Sequence, residues 1–60
     1  MNIIEQNIEK LSELESNNPN LYDFGKACRS FLKQDVYVNL NFPTDYDLAL
    51  EVKRIIKNQK

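Results

Sequence analysis

Histidine and tryptophan are missing from this sequence, and glycine and cysteine occur once each, as Gly25 and Cys28. Without histidine the chain lacks the usual general base, so a Ser–His–Asp or Cys–His catalytic arrangement cannot form within it. A single thiolate with no imidazole does not make a zinc site, and one glycine does not make a phosphate-binding loop. We therefore expect no enzyme activity, no cofactor and no metal.

The single cysteine cannot form a disulfide within one chain, and sparse cysteine is typical of a reducing compartment. No run of apolar residues exceeds four, so we expect neither a membrane-spanning segment nor the core of a signal peptide. These observations predict a soluble, cytoplasmic protein that does not bind membranes. Cys28 falls on an apolar helical stripe, which favours a buried small hydrophobe over a reactive thiol.

The chain is short enough to form one small domain, residues 1–60. A chain of this length buries only about 60% of the surface that it exposes when unfolded, so we expect marginal stability. Disulfides, metals or oligomerisation usually stabilise such small folds. Because neither an internal disulfide nor a metal is expected here, we expect oligomerisation to stabilise the fold.

The charges are unevenly distributed along a chain whose net charge is −1. Residues 1–20 sum to −3 and residues 48–60 sum to +3. The favoured interpretation is that these charges balance one another on solvated helix faces. The alternative is that one end makes an ionic contact with a partner.

Two segments before residue 34 have the apolar spacing of amphipathic helices. The first covers about residues 2–16. The second covers about 20–33, with either Asn18 or Asn20 as its N-cap. Gly25 lies inside the second helix, where glycine costs about 1 kcal/mol relative to alanine. A glycine at such a position indicates either a close helix–helix approach or a local bend, and we favour the close approach of another helix.

A third helix is predicted near the carboxyl end of the chain. It begins after Thr44, and Asp47 stands three residues later, as in a capping box with Asp in place of Glu. Its last residues, 58–60, are expected to fray.

The segment at residues 35–42 alternates apolar and polar side chains, which is typical of a β-strand with one buried face. It is the only predicted strand, so the expected fold is mostly α with one strand, in the order α-α-β-α. A lone strand has unpaired edges. We expect it to pair antiparallel with a second copy across a two-fold axis, or with a partner's sheet. The predicted homodimer interface is the apolar strand face: Val36, Val38, Leu40 and Phe42.

The opposite strand face is expected to be exposed, because successive side chains point to opposite sides. Tyrosine offers a large contact area at low entropic cost and is favoured at binding surfaces. The predicted binding surface for an unidentified partner protein consists of Tyr37, Asn39, Asn41 and Tyr46.

These features favour a non-catalytic homodimer that binds and inhibits or regulates another protein. Asn, Ile and Lys make up 19 of the 60 residues, and their codons are AT-rich. A small reading frame of this composition suggests a phage or mobile element that acts on a host enzyme or defence system.

A small dimeric DNA-binding regulator or antitoxin is the alternative. A strand that pairs across a two-fold axis and precedes a helix resembles the ribbon-helix-helix repressors. The outer face that would read bases is formed by Tyr37, Asn39 and Asn41, and asparagine can read adenine. Those repressors place the strand before two helices, whereas here two helices precede it. Nearby Asp35, Asp45 and Asp47 would repel phosphate, and the chain is not basic overall. Both facts argue against nucleic acid as the partner.

Overall fold

The computed structural model describes residues 3–33 and 35–59, and within these ranges it contains five helices and no strand. None of the five helices is long and apolar enough to cross a membrane. They are α1 (Ile3–Gln6), α2 (Ile8–Asn17), α3 (Leu21–Phe31), α4 (Val36–Asn41) and α5 (Asp45–Asn58).

The predicted first helix is confirmed, but it is interrupted at Asn7, between α1 and α2. Its predicted first residue, residue 2, lies outside the described residues. The Asn7 side-chain Nδ2 donates to the Ile3 carbonyl oxygen over 2.9 Å. An asparagine side chain that bonds nearby backbone groups competes with the regular helical hydrogen bonds, which accounts for the break.

The second and third predicted helices are confirmed as α3 and α5, and each begins at a side-chain cap. Asn20 Oδ1 accepts from the backbone N–H groups of Tyr22 and Asp23, at 2.8 and 3.1 Å. Of the two candidate caps for this helix, Asn20 is therefore the one used. Thr44 Oγ1 accepts from the Asp47 N–H at 3.1 Å. Both caps satisfy donors that a helix start would otherwise leave unpaired.

The predicted strand at residues 35–42 is wrong, and so is the α-α-β-α order, because this segment forms the short helix α4. The Asp35 side chain caps it by accepting from the Val38 N–H at 2.9 Å. A helix satisfies its backbone groups within the segment, whereas a lone strand leaves them unpaired. Among the described residues there is no other strand that could pair with a strand here. A helix therefore satisfies more of the backbone hydrogen bonds of this segment than a strand would.

The predicted dimer interface loses its basis with the strand, because its four residues do not share a face. Residues four apart lie on the same side of a helix, which separates Val36 and Leu40 from Val38 and Phe42. Val38 is buried in the core and Phe42 is half-buried, whereas Val36 and Leu40 are exposed. The described residues therefore contain no strand that could form the pairing expected between two copies.

The most extensive helix–helix contact joins α3 to α5. At this crossing, a Cβ placed on Gly25 would lie 2.9 Å from the carbonyl carbon of Asp45. The close approach predicted at Gly25 is confirmed, and only glycine leaves room for it. The described core consists of Ile4, Leu11, Phe24, Cys28, Leu32, Val38, Leu48, Ala49, Val52, Ile55 and Ile56.

Candidate functional site

Three apolar side chains of α4 point outward: Val36, Tyr37 and Leu40 are 68%, 47% and 76% exposed. We call them the α4 surface. Leu40 follows Val36 by four residues and Tyr37 by three, so the three side chains are neighbours on the helix. No residue of α4 is charged, whereas each of the other described helices carries at least one charge. The α4 surface is therefore an apolar, uncharged patch on a highly charged chain.

A network around Arg29 on α3 holds α4 against the rest of the molecule. The Arg29 Nε donates to Asp45 Oδ1 at 3.1 Å, and Nη1 donates to Asn39 Oδ1 at 3.0 Å. Nη2 donates to the carbonyl oxygens of Phe42 and Thr44. The Arg29 side chain is only 21% exposed, so these charge-assisted bonds are partly shielded from water and correspondingly strong. One guanidinium thus joins α3, α4 and the start of α5.

The structural role of Arg29 was missed by the sequence analysis, which identified no function for it. A signal was present, because Arg29 follows Gly25 by four residues and therefore lies on the same face of α3. Gly25 lets the α5 backbone come close to this face of α3. A long cationic side chain on the same face can therefore reach that backbone. Gly25 predicted the helix crossing, and Arg29 on the same face could have been predicted to bond groups at the start of the crossing helix.

The two asparagines predicted to bind a partner make hydrogen bonds within the chain. Asn39 accepts from Arg29 and donates through Nδ2 to the Lys33 carbonyl oxygen at 2.9 Å. Asn41 donates through Nδ2 to the Tyr37 carbonyl oxygen at 2.9 Å. Both residues are exposed, and their role in partner binding stays a prediction.

The two tyrosines predicted to bind a partner lie on different helices. Tyr37 contacts Phe42 edge-on, with ring centroids 6.2 Å apart and an interplanar angle of 77°. Tyr46 lies exposed in the first turn of α5. Both rings are accessible to a partner, but Tyr37 alone belongs to the α4 surface.

A shallow hollow of about 350 Å³ lies next to the amino end of α4. The two polar side chains that line it among the described residues are engaged locally, since Asn7 donates to the Ile3 carbonyl oxygen and Asp35 accepts from the Val38 N–H. In the described part of the chain, no buried side-chain nitrogen or oxygen lacks a hydrogen-bond partner. The hollow therefore offers no free buried polar group to orient a small molecule.

Two of the three described basic residues near the carboxyl end, Lys53 and Arg54, pair with carboxylates. Lys53 Nζ lies 2.9 Å from Glu15 Oε2, which links α5 to the acidic helix α2. The Arg54 guanidinium makes two bonds to Glu51, at 3.0 and 2.9 Å. Both pairs support the interpretation that the charges balance one another within the chain. Lys57 lies exposed in the last turn of α5.

Cys28 is buried in the core, as predicted. Burial raises the pKa of its thiol from 9.0 to about 12; the negative charge of Glu15 adds to the rise, and Lys53 opposes it. The thiolate is the reactive form of cysteine. The folded protein therefore presents no reactive thiol at neutral pH.

The raised pKa of Cys28 predicts a pH-dependent stability. The unfolded chain releases the thiol proton near pH 9 and the folded chain only near pH 12. The stabilisation is therefore complete below about pH 9 and is lost as the pH rises. Relative to Cys28→Ala, the wild type should lose about 1 kcal/mol of unfolding free energy between about pH 9 and pH 10.

Urea titrations of both proteins at each pH measure this difference. Cys28→Ala lacks the thiol but keeps every other titrating group, so subtraction removes the contribution of tyrosines and lysines. A difference that stays constant across this range would show that the thiol is not shielded from water as described.

Comparison with known proteins finds no matching family, no matching curated protein and no matching solved structure.

Proposed function

We propose that this protein is a non-catalytic binding protein that contacts another protein through the α4 surface. The observation that carries the proposal is the exposure of Val36, Tyr37 and Leu40 side by side on an uncharged helix. Single exposed apolar residues are ordinary, whereas adjacent ones form the kind of patch found at interaction sites.

The chemistry of the patch defines the chemistry of the partner. Full burial of a valine or leucine side chain gains about 1.5–3 kcal/mol, and an uncharged helix gives a charged partner surface nothing to pair with. The matching surface is an apolar groove that accepts one short helix, a common mode of peptide recognition. Tyr37 adds aromatic area with a hydroxyl that can remain hydrated.

Binding of this kind inhibits or regulates the partner by occupying a surface that the partner needs. It requires no chemistry from this chain, which is consistent with the buried thiol of Cys28. A host enzyme or defence system targeted by a phage or mobile element is the setting that the residue composition favours.

The alternative, a DNA-binding regulator or antitoxin, has less support from the geometry. Lys53 and Arg54 would be the natural phosphate contacts at the carboxyl end, and each is paired with a carboxylate of the same chain. Phosphate binding would have to compete with these pairs.

The proposal predicts that Val36→Ser/Leu40→Ser abolishes capture of the partner while the protein stays folded. Both side chains are exposed, so their loss removes contact area without opening the core. The matched control is Leu50→Ser, which removes an exposed leucine of α5. Affinity purification of all three proteins from the source cells, quantified by mass spectrometry, should recover the partner with the wild type and the control alone.

Three results would contradict the proposal. The partner could be recovered equally with the α4 double variant, or lost equally with Leu50→Ser. The wild type could instead bind duplex DNA with an affinity that falls steeply as salt increases, which is the signature of phosphate contacts.

A further inference from the structure

Helix α4 differs from its neighbours in how it is attached to the fold, and we propose that it is a hinged element. The hydrogen bonds of Arg29 and Asn39 hold it closed, and we call these bonds the latch. Helix α4 opens as a unit while α3 and α5 stay packed. The inference concerns the fold itself and holds whether or not α4 contacts a partner.

The apolar attachment of α4 is small. Of its six residues, only Val38 is buried, and Val36 and Leu40 remain exposed to solvent. By contrast, five residues of α5 and three of α3 are buried. Segments with few buried apolar contacts open locally at a lower free energy than the core. Opening of α4 therefore moves one core side chain, Val38, together with the half-buried Phe42 that follows the helix, and not a whole layer of core side chains.

Polar contacts supply much of the remaining attachment, and they converge on one side chain. Arg29 bonds the Asn39 side chain and the Phe42 carbonyl oxygen, at the middle and the end of α4. Asn39 in turn donates to the Lys33 carbonyl oxygen, on the segment that leads into the helix. Loss of the Asn39 side chain breaks two of these contacts together.

Arg29 remains held after α4 leaves. Its Nε still bonds Asp45 and its Nη2 still bonds the Thr44 carbonyl oxygen, both at the start of α5. Asp45 is itself fixed by the tight crossing at Gly25. The guanidinium therefore keeps its position, and α4 can return to a preformed site.

Two asparagines of α4 provide a matched test by hydrogen exchange. Asn39→Ala removes the latch contacts, whereas Asn41→Ala removes only a bond to Tyr37 within α4 itself. Both variants change the same residue type in the same helix, so their effects on helix propensity are similar. We expect the amides of residues 39–42 to exchange at least about fivefold faster in Asn39→Ala than in Asn41→Ala. The α3 and α5 amides, which exchange through global unfolding, should speed up by about the same factor, because the lost contacts raise the free energy of the native state from which both openings start.

A second measurement on the wild type keeps the proposal testable if a variant fails to fold. In low urea, exchange of the α4 amides should depend weakly on urea, as expected for a small opening, while the α3 and α5 amides follow global unfolding. The rate at which a thiol reagent labels buried Cys28 gives an independent report of global opening.

Either of two results would overturn the proposal. In the first, α4, α3 and α5 exchange with the same free energy and the same urea dependence, so the protein opens only as a whole. In the second, Asn39→Ala and Asn41→Ala exchange alike throughout α4, so the Arg29 network does not hold the helix.

Discussion

Val38→Asp should expel α4 from the core and destabilise the protein. Val38 is fully buried within the apolar core, and among the described residues no charged side chain is buried beside it. A buried, unpaired carboxylate costs several kcal/mol. The loss of stability is limited by the free energy at which α4 opens, because the carboxylate becomes hydrated once α4 has left the core.

Leu40→Asp, only two residues away, should leave the protein folded. Leu40 is exposed, so the new carboxylate stays hydrated, and the modest helix propensity of aspartate costs about 1 kcal/mol or less. Urea unfolding followed by circular dichroism measures both variants. A shared strand face would make the two substitutions equally damaging, so equal unfolding free energies of Val38→Asp and Leu40→Asp would contradict the helical assignment.

Gly25→Ala should destabilise the protein by about 1–3 kcal/mol, the usual cost of overpacking. The added methyl group would overlap the backbone of Asp45, and a backbone cannot move aside as a flexible side chain can. Elsewhere in a helix the same change gains about 1 kcal/mol. The sign of the effect therefore reports the close crossing of α3 and α5.

Ser30→Ala is the matched control, because Ser30 lies in the same helix but is exposed. It should be neutral or slightly stabilising, as alanine is the better helix former. Chemical denaturation of both variants supplies the comparison. If Gly25→Ala is also stabilising, the two helices do not approach each other as closely as described.

The long helices were predictable because local signals and apolar spacing agree in them. The cap at Thr44 and the buried stripe of α5 indicate the same helix, and Asn20 begins α3 in the same way. Asn7 shows the limit of this reasoning. Apolar spacing continues through it, while the competing bond from its side chain to Ile3 depends on a rotamer that spacing does not specify.

The error at residues 35–42 has a physical origin. In a segment of one to two helical turns, apolar residues at every second position also fit a helix, with half of them inward and half outward. The missing second strand was interpreted as a need for a partner, although it is equally an argument against a strand. Asp35 before an apolar run is an N-cap signal that the alternation obscured.

The candidate site was predicted only in part for the same reason. The alternation of side chains along the predicted strand placed Tyr37 outward, which is correct. It also placed Val36 and Leu40 on the buried face, whereas both are exposed on α4. The bonds from Asn39 to Arg29 and Lys33 join segments that meet only in three dimensions. No pattern within one segment contains that information.

The measurement that tests this account most directly is the nuclear magnetic resonance assignment of residues 36–41. The account predicts Cα chemical shifts displaced in the helical direction and strong nuclear Overhauser effects between successive amide protons throughout α4. Shifts displaced in the extended direction, with contacts between strands of two copies, would contradict the helix, the exposed α4 surface and the latch together.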